Sequence, residues 1–270
     1  MGELEDYFRH NTGRLISKWR HYFGIYERHF APYRNRPVRI VEFGVWHGGS
    51  LQMWRRYFGP EAQIVGVDIN PECARLSEPG VEIVIGDQAD PATHRALRSR
   101  FGEFDIVIDD GGHRMDQQVT TFRELYPAVK VGGLYVAEDL HTSYHPDFGG
   151  GLRRAGTFIE LGKQLIDQLH AWYGPPAGLE VDYVTRTAYG LHFYDSMLVV
   201  EKGRVEAPRS EYSGAPAVAM GVAELRFLAF MDVEAGRPAE ALDKYRRALA
   251  ASPDDAELRE RVRALESALR

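Results

Sequence analysis

The chain has 270 residues, 44% of them hydrophobic, and a formal net charge of −6. That length supports one substantial core plus a smaller second unit, and the ordinary charged fraction argues against wholesale disorder. The negative balance argues against a general nucleic-acid binder, the single cysteine, Cys73, rules out an internal disulfide and a cysteine-rich zinc site, and no apolar run approaches the ~20 residues that span a bilayer.

The opening MGELEDYF lacks the basic and then apolar pattern of a signal peptide, and Asp6 makes Gly2 a poor myristoylation site, so a soluble cytoplasmic protein is expected. Residues 4–33 carry Tyr7, Trp19, Tyr22, Phe23, Tyr26 and Phe30 at helical spacing. They read as a helical lead-in, 1–36, that packs on the main domain or shares in lining a pocket. From residue 37 strands and helices alternate. VRIVEFG, AQIVGVDI, VEIVIGD, FDIVIDD and GGLYVAED read as strands. SLQMWRRYF, a short ECARLSE, ATHRALRSRF and MDQQVTTFRELYPAV read as the helices between them. Near-continuous apolar strands separated by helices predict an α/β fold with a parallel sheet covered on both faces.

SYHPDFGGGLRRAG reads as a loop, either a lid or an ordinary surface excursion, and TFIELGKQLIDQLHAWY as an amphipathic helix. LEVDYVT and GLHFYDSMLVVEKG read as two closing strands, an antiparallel hairpin at the sheet edge. A polar linker, 204–216, then leads to an Ala/Leu/Arg/Glu-rich stretch, 217–270, read as three helices broken at AGRP and SPDD. Ala241, Tyr245, Ala248, Leu249 and Pro253 resemble the small and apolar positions of one tetratricopeptide repeat. One repeat is too little for independent stability, so this unit is expected to pack on the main domain, a protein partner or a second copy in a homo-oligomer.

The loop EFGVWHGGS follows the first strand and opens a helix. Glu42 ends the strand, Gly44 permits a sharp turn, Gly48 and Gly49 admit a close ligand, and Ser50 can serve as N-cap. The spacing is E-x-G-x-x-x-G and lacks a P-loop lysine, which favours a nucleotide with little phosphate. Asp68 ends the second strand, where a carboxylate suits two ribose hydroxyls, and Asp87 with Gln88 ends the third, where they could meet an adenine edge. This ordered set resembles the class I S-adenosylmethionine-dependent methyltransferases over residues 37–203. The resemblance implies a Rossmann-like, mostly parallel sheet with S-adenosylmethionine at its carboxyl edge.

IDDGGH (108–113) and AEDLHTSY (137–144) would then converge beside the cofactor's reactive end. Such a carboxylate cluster calls for a cation, and oxygen ligands without cysteine fit Mg²⁺ or Mn²⁺. Asp110, Glu138 and Asp139 are the candidate ligands, with Asp109 on the cofactor side or bonded to the following loop. His113 is the candidate general base. His141 is a rival and His145 a weaker one, and Tyr144 is a candidate for the acceptor pocket. Together the motifs resemble the metal-dependent sugar O-methyltransferases of macrolide and related antibiotic pathways. That resemblance implies the same metal ligands and base, and methylation of a sugar hydroxyl on a glycosylated small molecule. A non-sugar hydroxyl acceptor is the alternative, and a cofactor-binding scaffold with a partner-recruiting tail is another.

Overall fold

Strand and helix signals alternate through the first two thirds of the chain, and the computed structural model, which describes residues 2–173, 179–214 and 216–270, folds them around one sheet. The chain divides into two units, Met1–Glu206 and Ala207–Arg270. Ala215, inside the expected linker, lies outside the described residues.

The first unit opens with helices α1 (Glu3–Arg9) and α2 (Tyr22–Phe30). It continues β1 (Arg39–Phe43), α3 (Gly49–Phe58), β2 (Gln63–Asp68), β3 (Val81–Ile85), α4 (Pro91–Phe101), β4 (Phe104–Asp109), α5 (Met115–Leu125) and β5 (Val129–Ala137). It closes with α6 (Phe158–Leu169), α7 (Tyr183–Thr187), β6 (Ala188–Tyr194) and β7 (Met197–Lys202). The sheet order is β3-β2-β1-β4-β5-β7-β6. The first five strands run parallel, and β7 is antiparallel to both β5 and β6. Strand order reverses between β1 and β4, which opens a crevice beyond their carboxyl ends.

Each face of the sheet carries its own core. Tyr22, Tyr26, Phe30, Trp54 and Phe58 of α2 and α3 cover one face, with Tyr26 stacked on Phe30 at 5.4 Å and edge-on to Trp54 at 5.1 Å. Phe122, Tyr126 and Phe158 cover the other. His94 of α4 is fully buried there, its ring stacked on Phe43 at 5.1 Å. Burial holds its pKa below the usual value. A histidine kept neutral by folding contributes stability at neutral pH that is lost as pH falls through ~6.5, its unfolded value. Accordingly, His94→Gln should lose less stability than the parent between about pH 7.5 and about pH 5.5. Urea midpoints of the two proteins at both pH values measure this, and equal losses would remove His94 from the acid response.

Three local expectations are corrected. The lead-in is not one helix: residues 11–19 run irregularly between α1 and α2, starting where Gly13 sits beside Asn11, whose side chain accepts the Gly13 N–H. ECARLSE forms a 3₁₀ turn, Pro71–Leu76. LEVDYVT is not a strand. Asp182 accepts the Thr185 N–H at 2.9 Å and starts the short helix α7, and this cap outweighs the β-branched pattern. The closing hairpin runs from Ala188 through GLHFYDSMLVVEKG, turning at Asp195 and Ser196.

The second unit comprises α8 (Val222–Glu234), α9 (Pro238–Ala251) and α10 (Ala256–Ala268). Gly236, at φ 70°, follows α8, and Asp255 caps α10 by accepting the Leu258 N–H at 3.0 Å. Ala229, Ala241, Tyr245, Ala248 and Leu258 form its core. Buried Asp232 is bound by Tyr212 at 2.7 Å, Lys244 at 2.7 Å and Arg237 at 2.8 Å. Among the described residues no helix is long and apolar enough to cross a membrane.

Candidate active site

A cavity of about 660 Å³ lies at the carboxyl edge of the sheet, between the loops after β1, β2, β3 and β4. Gly44, at φ 93°, makes the first loop possible: a Cβ there would meet the Asp110 carbonyl oxygen at 2.0 Å. The loop after β1 and the loop after β4 are thereby pressed together. Gly44, Ser50, Asp68, Gln88, Asp110, His113 and Asp139 all line the cavity.

Asp68 is held by backbone amides. Its Oδ2 accepts from Val45 at 2.9 Å and Trp46 at 3.0 Å, and its Oδ1 accepts from Asn70 at 2.9 Å. Each carboxylate oxygen has two lone pairs, so one acceptor position, on Oδ1, remains for a ligand hydroxyl. Gln88 ties two strand ends together. Its Nε2 donates to Asp109 at 2.6 Å and its Oε1 accepts from the Gly112 N–H at 3.1 Å.

Four expected cofactor residues lie off the cavity wall. Glu42 is fully buried beneath it, receiving the Ser50 hydroxyl at 2.9 Å. Burial pushes its carboxyl up to about 7, against the pull of a nearby lysine. Asp109 is likewise buried, bonded to Gln88 and to the Tyr135 hydroxyl at 3.2 Å, and burial pushes it up to about 7. Asp87 is exposed and accepts the Ala89 N–H at 2.8 Å, stabilising its own turn. Gly48, left-handed at φ 75°, is the N-cap of α3. Ser50 is therefore not the cap: it sits inside the helix, where its hydroxyl reaches back to Glu42.

The acidic strand ends come together with a histidine. Donor atoms of Asp110, His113 and Asp139 lie within 4.8 Å of one another. His113 Nε2 is 3.3 Å from Asp139 Oδ2 and 3.9 Å from Asp110 Oδ1, while its Nδ1 is buried without a partner. Both His113 and Asp139 have φ of 55°, in the sparsely populated left-handed region. Glu138 is also adjacent, but its Oε1 receives the Tyr26 hydroxyl at 2.6 Å and its Oε2 receives Lys18 at 3.0 Å.

Lys18, on the irregular segment before α2, joins the candidate site although no sequence signal singled it out. Its side chain is 2% exposed, and Nζ lies 2.5 Å from Asp110 Oδ2, 3.0 Å from Glu138 Oε2 and 3.6 Å from Glu42 Oε1. Burial works to lower its pKa, but Asp110 and Glu138 overcome this and hold it well above the usual value. Tyr22, one of the aromatics expected either to pack or to line a pocket, reaches the acids: its hydroxyl donates to Asp139 Oδ1 at 2.8 Å and accepts the Asp139 N–H at 3.1 Å. A smaller cavity of about 370 Å³ shares Lys18, Asp110 and Asp139 with the first and adds Trp19, Tyr22 and Glu138. His141 Nδ1 lies 2.6 Å from the Ser196 hydroxyl, and its ring sits edge-on to Trp19. His141, Tyr144 and His145 line neither cavity.

Residues 41–140 match the model of a methyltransferase domain family. The chain is 45% identical over 190 residues to 8-demethyl-8-alpha-L-rhamnosyl tetracenomycin-C 2'-O-methyltransferase of Streptomyces olivaceus, covering 67% of this chain and 50% of that protein. The chain carries a methyltransferase domain. Demethylmacrocin O-methyltransferase of Streptomyces fradiae is 41% identical over 203 residues, covering 70% of this chain and 51% of the relative. Mycinamicin VI 2''-O-methyltransferase of Micromonospora griseorubida is 42% identical over 190 residues, covering 66% and 47%. Among solved structures, the MycE methyltransferase of mycinamycin biosynthesis, in complex with Mg, SAH and mycinamycin VI, superposes with a TM-score of 0.67 at 39% identity, covering 75% of this chain and 53% of that one. The chain thus spans about half the length of the relatives it matches.

Proposed function

We propose that this protein is an S-adenosylmethionine- and Mg²⁺-dependent O-methyltransferase that methylates a sugar hydroxyl of a glycosylated natural product. The observation that carries this reading is the convergence of Asp110, Asp139 and His113 on the cavity that also holds Asp68 and Gln88. The rhamnosyl and macrolide glycosides in the relatives' names support a small-molecule glycoside as acceptor. The magnesium and SAH of the superposed structure support the cofactor pair.

The residues fit a hard divalent cation. Asp110, Glu138 and Asp139 offer only carboxylate oxygens, and the Lys18 ammonium, paired with Asp110 and Glu138, compensates only one of the three. When bound, S-adenosylmethionine supplies an electrophilic methyl group, and Mg²⁺ supplies the charge that acidifies a hydroxyl. Asp110 and Asp139 would hold the ion, with Glu138 alongside. Asp68, fixed by three amides, orients the nucleoside. The acceptor enters through the smaller cavity past Trp19, which leaves its hydroxyl beside the carboxylates. His113 Nε2 faces the same point and takes the hydroxyl proton, Nδ1 carrying the ring hydrogen. The work of the chain is to bring oxygen and methyl into line with water excluded.

Calorimetric titration of S-adenosylmethionine and of Mg²⁺ tests the reading. Cofactor binding with and without chelator, and a Mg²⁺ site lost in Asp110→Ala, are expected. Absence of cofactor binding under both conditions would break the proposal at its first element. Turnover of a catechol in place of rhamnosyl glycosides would overturn the acceptor class alone.

A further inference from the structure

A second cluster with metal-ligand chemistry lies away from the cavity, where α2 crosses the closing hairpin. It comprises His29 of α2, His192 of β6 and Glu201 of β7, with donor atoms within 4.8 Å of one another. Glu201 Oε1 lies 3.0 Å from His192 Nε2 and 3.7 Å from His29 Nδ1. Two ligands at about 2.0–2.1 Å from one tetrahedral ion are about 3.4 Å apart, so these separations need only tenths of an ångström of adjustment. The imidazole centroids are 4.7 Å apart at 63°, which presents ring edges rather than stacked faces.

The hydrogen bonds around the cluster leave the right atoms open. His192 Nε2 is buried with no hydrogen-bond partner, although the carboxylate is close. His29 Nε2 lies 2.8 Å from the Tyr194 hydroxyl. With that nitrogen carrying the ring hydrogen, the Nδ1 lone pair faces Glu201. An outer partner that fixes the tautomer in this way is the usual companion of a metal-binding histidine. A cavity of about 360 Å³ lined by His29 and Glu201 adjoins the cluster, and the His192 and Glu201 side chains are 37% and 34% exposed, so an ion can enter from solvent.

We propose that His29, His192 and Glu201 form a second divalent-cation site, of a donor type suited to Zn²⁺ rather than Mg²⁺. Two imidazole nitrogens and one carboxylate suit a borderline ion, and a fourth position is left for water. Its effect is mechanical. The helix that carries His29 also carries Tyr22, bonded to Asp139, and Tyr26, bonded to Glu138. An ion joining His29 to the hairpin pins the helix that positions two acids of the active site.

The test titrates Zn²⁺ calorimetrically into the full-length Asp110→Ala protein, which silences the carboxylate cluster, and into Asp110→Ala carrying His192→Ala, Glu201→Gln or Tyr194→Phe. Circular dichroism checks that each variant is folded. One Zn²⁺ site in Asp110→Ala, lost on adding His192→Ala or Glu201→Gln and weakened about 10-fold or more by Tyr194→Phe, is expected. Co²⁺ in its place should give visible d–d absorption that disappears with the same substitutions. No Zn²⁺ uptake by Asp110→Ala, or uptake that His192→Ala and Glu201→Gln leave unchanged, would overturn the proposal. Neither result bears on S-adenosylmethionine or Mg²⁺ binding, so the proposed function stands or falls separately.

Discussion

Lys18→Met is expected to destabilise the protein by about 3–5 kcal/mol at neutral pH, the cost of removing one member of a buried charge cluster while its partners remain. Met keeps most of the aliphatic volume, so the loss isolates the charge. Lys18 is the counter-charge for three carboxyls, and two of these, Glu42 and Glu138, are fully buried. Without it they must either ionise unpaired or take up protons. The deficit should therefore shrink in acid. The Glu42 carboxyl, raised by burial to about 7, is protonated below that pH and no longer needs the ammonium. Added Mg²⁺ should restore more stability to the variant than to the parent, because a divalent ion can replace the missing charge. Urea unfolding at about pH 7.5 and about pH 5, with and without Mg²⁺, measures all three effects. A midpoint unchanged at neutral pH, or a deficit equal at both pH values, would mean that Lys18 does not carry the cluster.

The parallel sheet was legible because strands buried on both faces need continuous apolar stretches, and Ile40–Val41, Ile106–Ile108 and Leu134–Ala137 supply them in β1, β4 and β5. The acidic strand ends were legible for a related reason. Asp110, His113 and Asp139 interrupt buried runs at positions where charge is costly, so their presence calls for a reason. What the sequence did not reveal is that Asp109, expected on the cofactor side or against the following loop, is shut off from the cavity. Asp109 and Asp110 are neighbours, yet the first is sealed by Gln88 and Tyr135 while the second faces the cavity. Adjacent side chains at a strand end point to opposite sides, and only the register assigns the sides. Asp68 and Asp87 each accept an amide from two residues on, but Asp68 lines the cavity while Asp87 stands in solvent. Lys18, Tyr22 and Tyr26 were harder still. The tyrosines fall on an aromatic periodicity that packing alone explains, and Lys18 lies in an aperiodic stretch among other basic residues, where no local signal marks a buried ammonium. Their role depends on contacts across more than 90 residues, such as Lys18 with Asp110 and Tyr26 with Glu138.

His113→Asn is expected to lower turnover of a rhamnosyl glycoside by about 10²–10⁴-fold, the usual contribution of a positioned general base. Asn is the appropriate replacement because His113 sits at φ 55°, in a left-handed conformation that Asn tolerates better than Ala. Backbone strain is then nearly constant, and the change removes the imidazole alone. Cofactor affinity should be retained, because Asp68 and Gln88 stay in place on their own hydrogen bonds. The loss should fall on kcat rather than KM, since proton removal belongs to the transition state and not to ground-state binding. Asp139→Asn supplies the companion measurement. It leaves the Tyr22 contact geometrically possible but removes the carboxylate charge 3.3 Å from His113 Nε2, so Mg²⁺ dependence should weaken together with turnover. If His113→Asn kept full kcat while Asp139→Asn lost it, the proton would have to leave by another route. His141, bonded to Ser196 and resting against Trp19 beside the acceptor entrance, would be the next imidazole to replace.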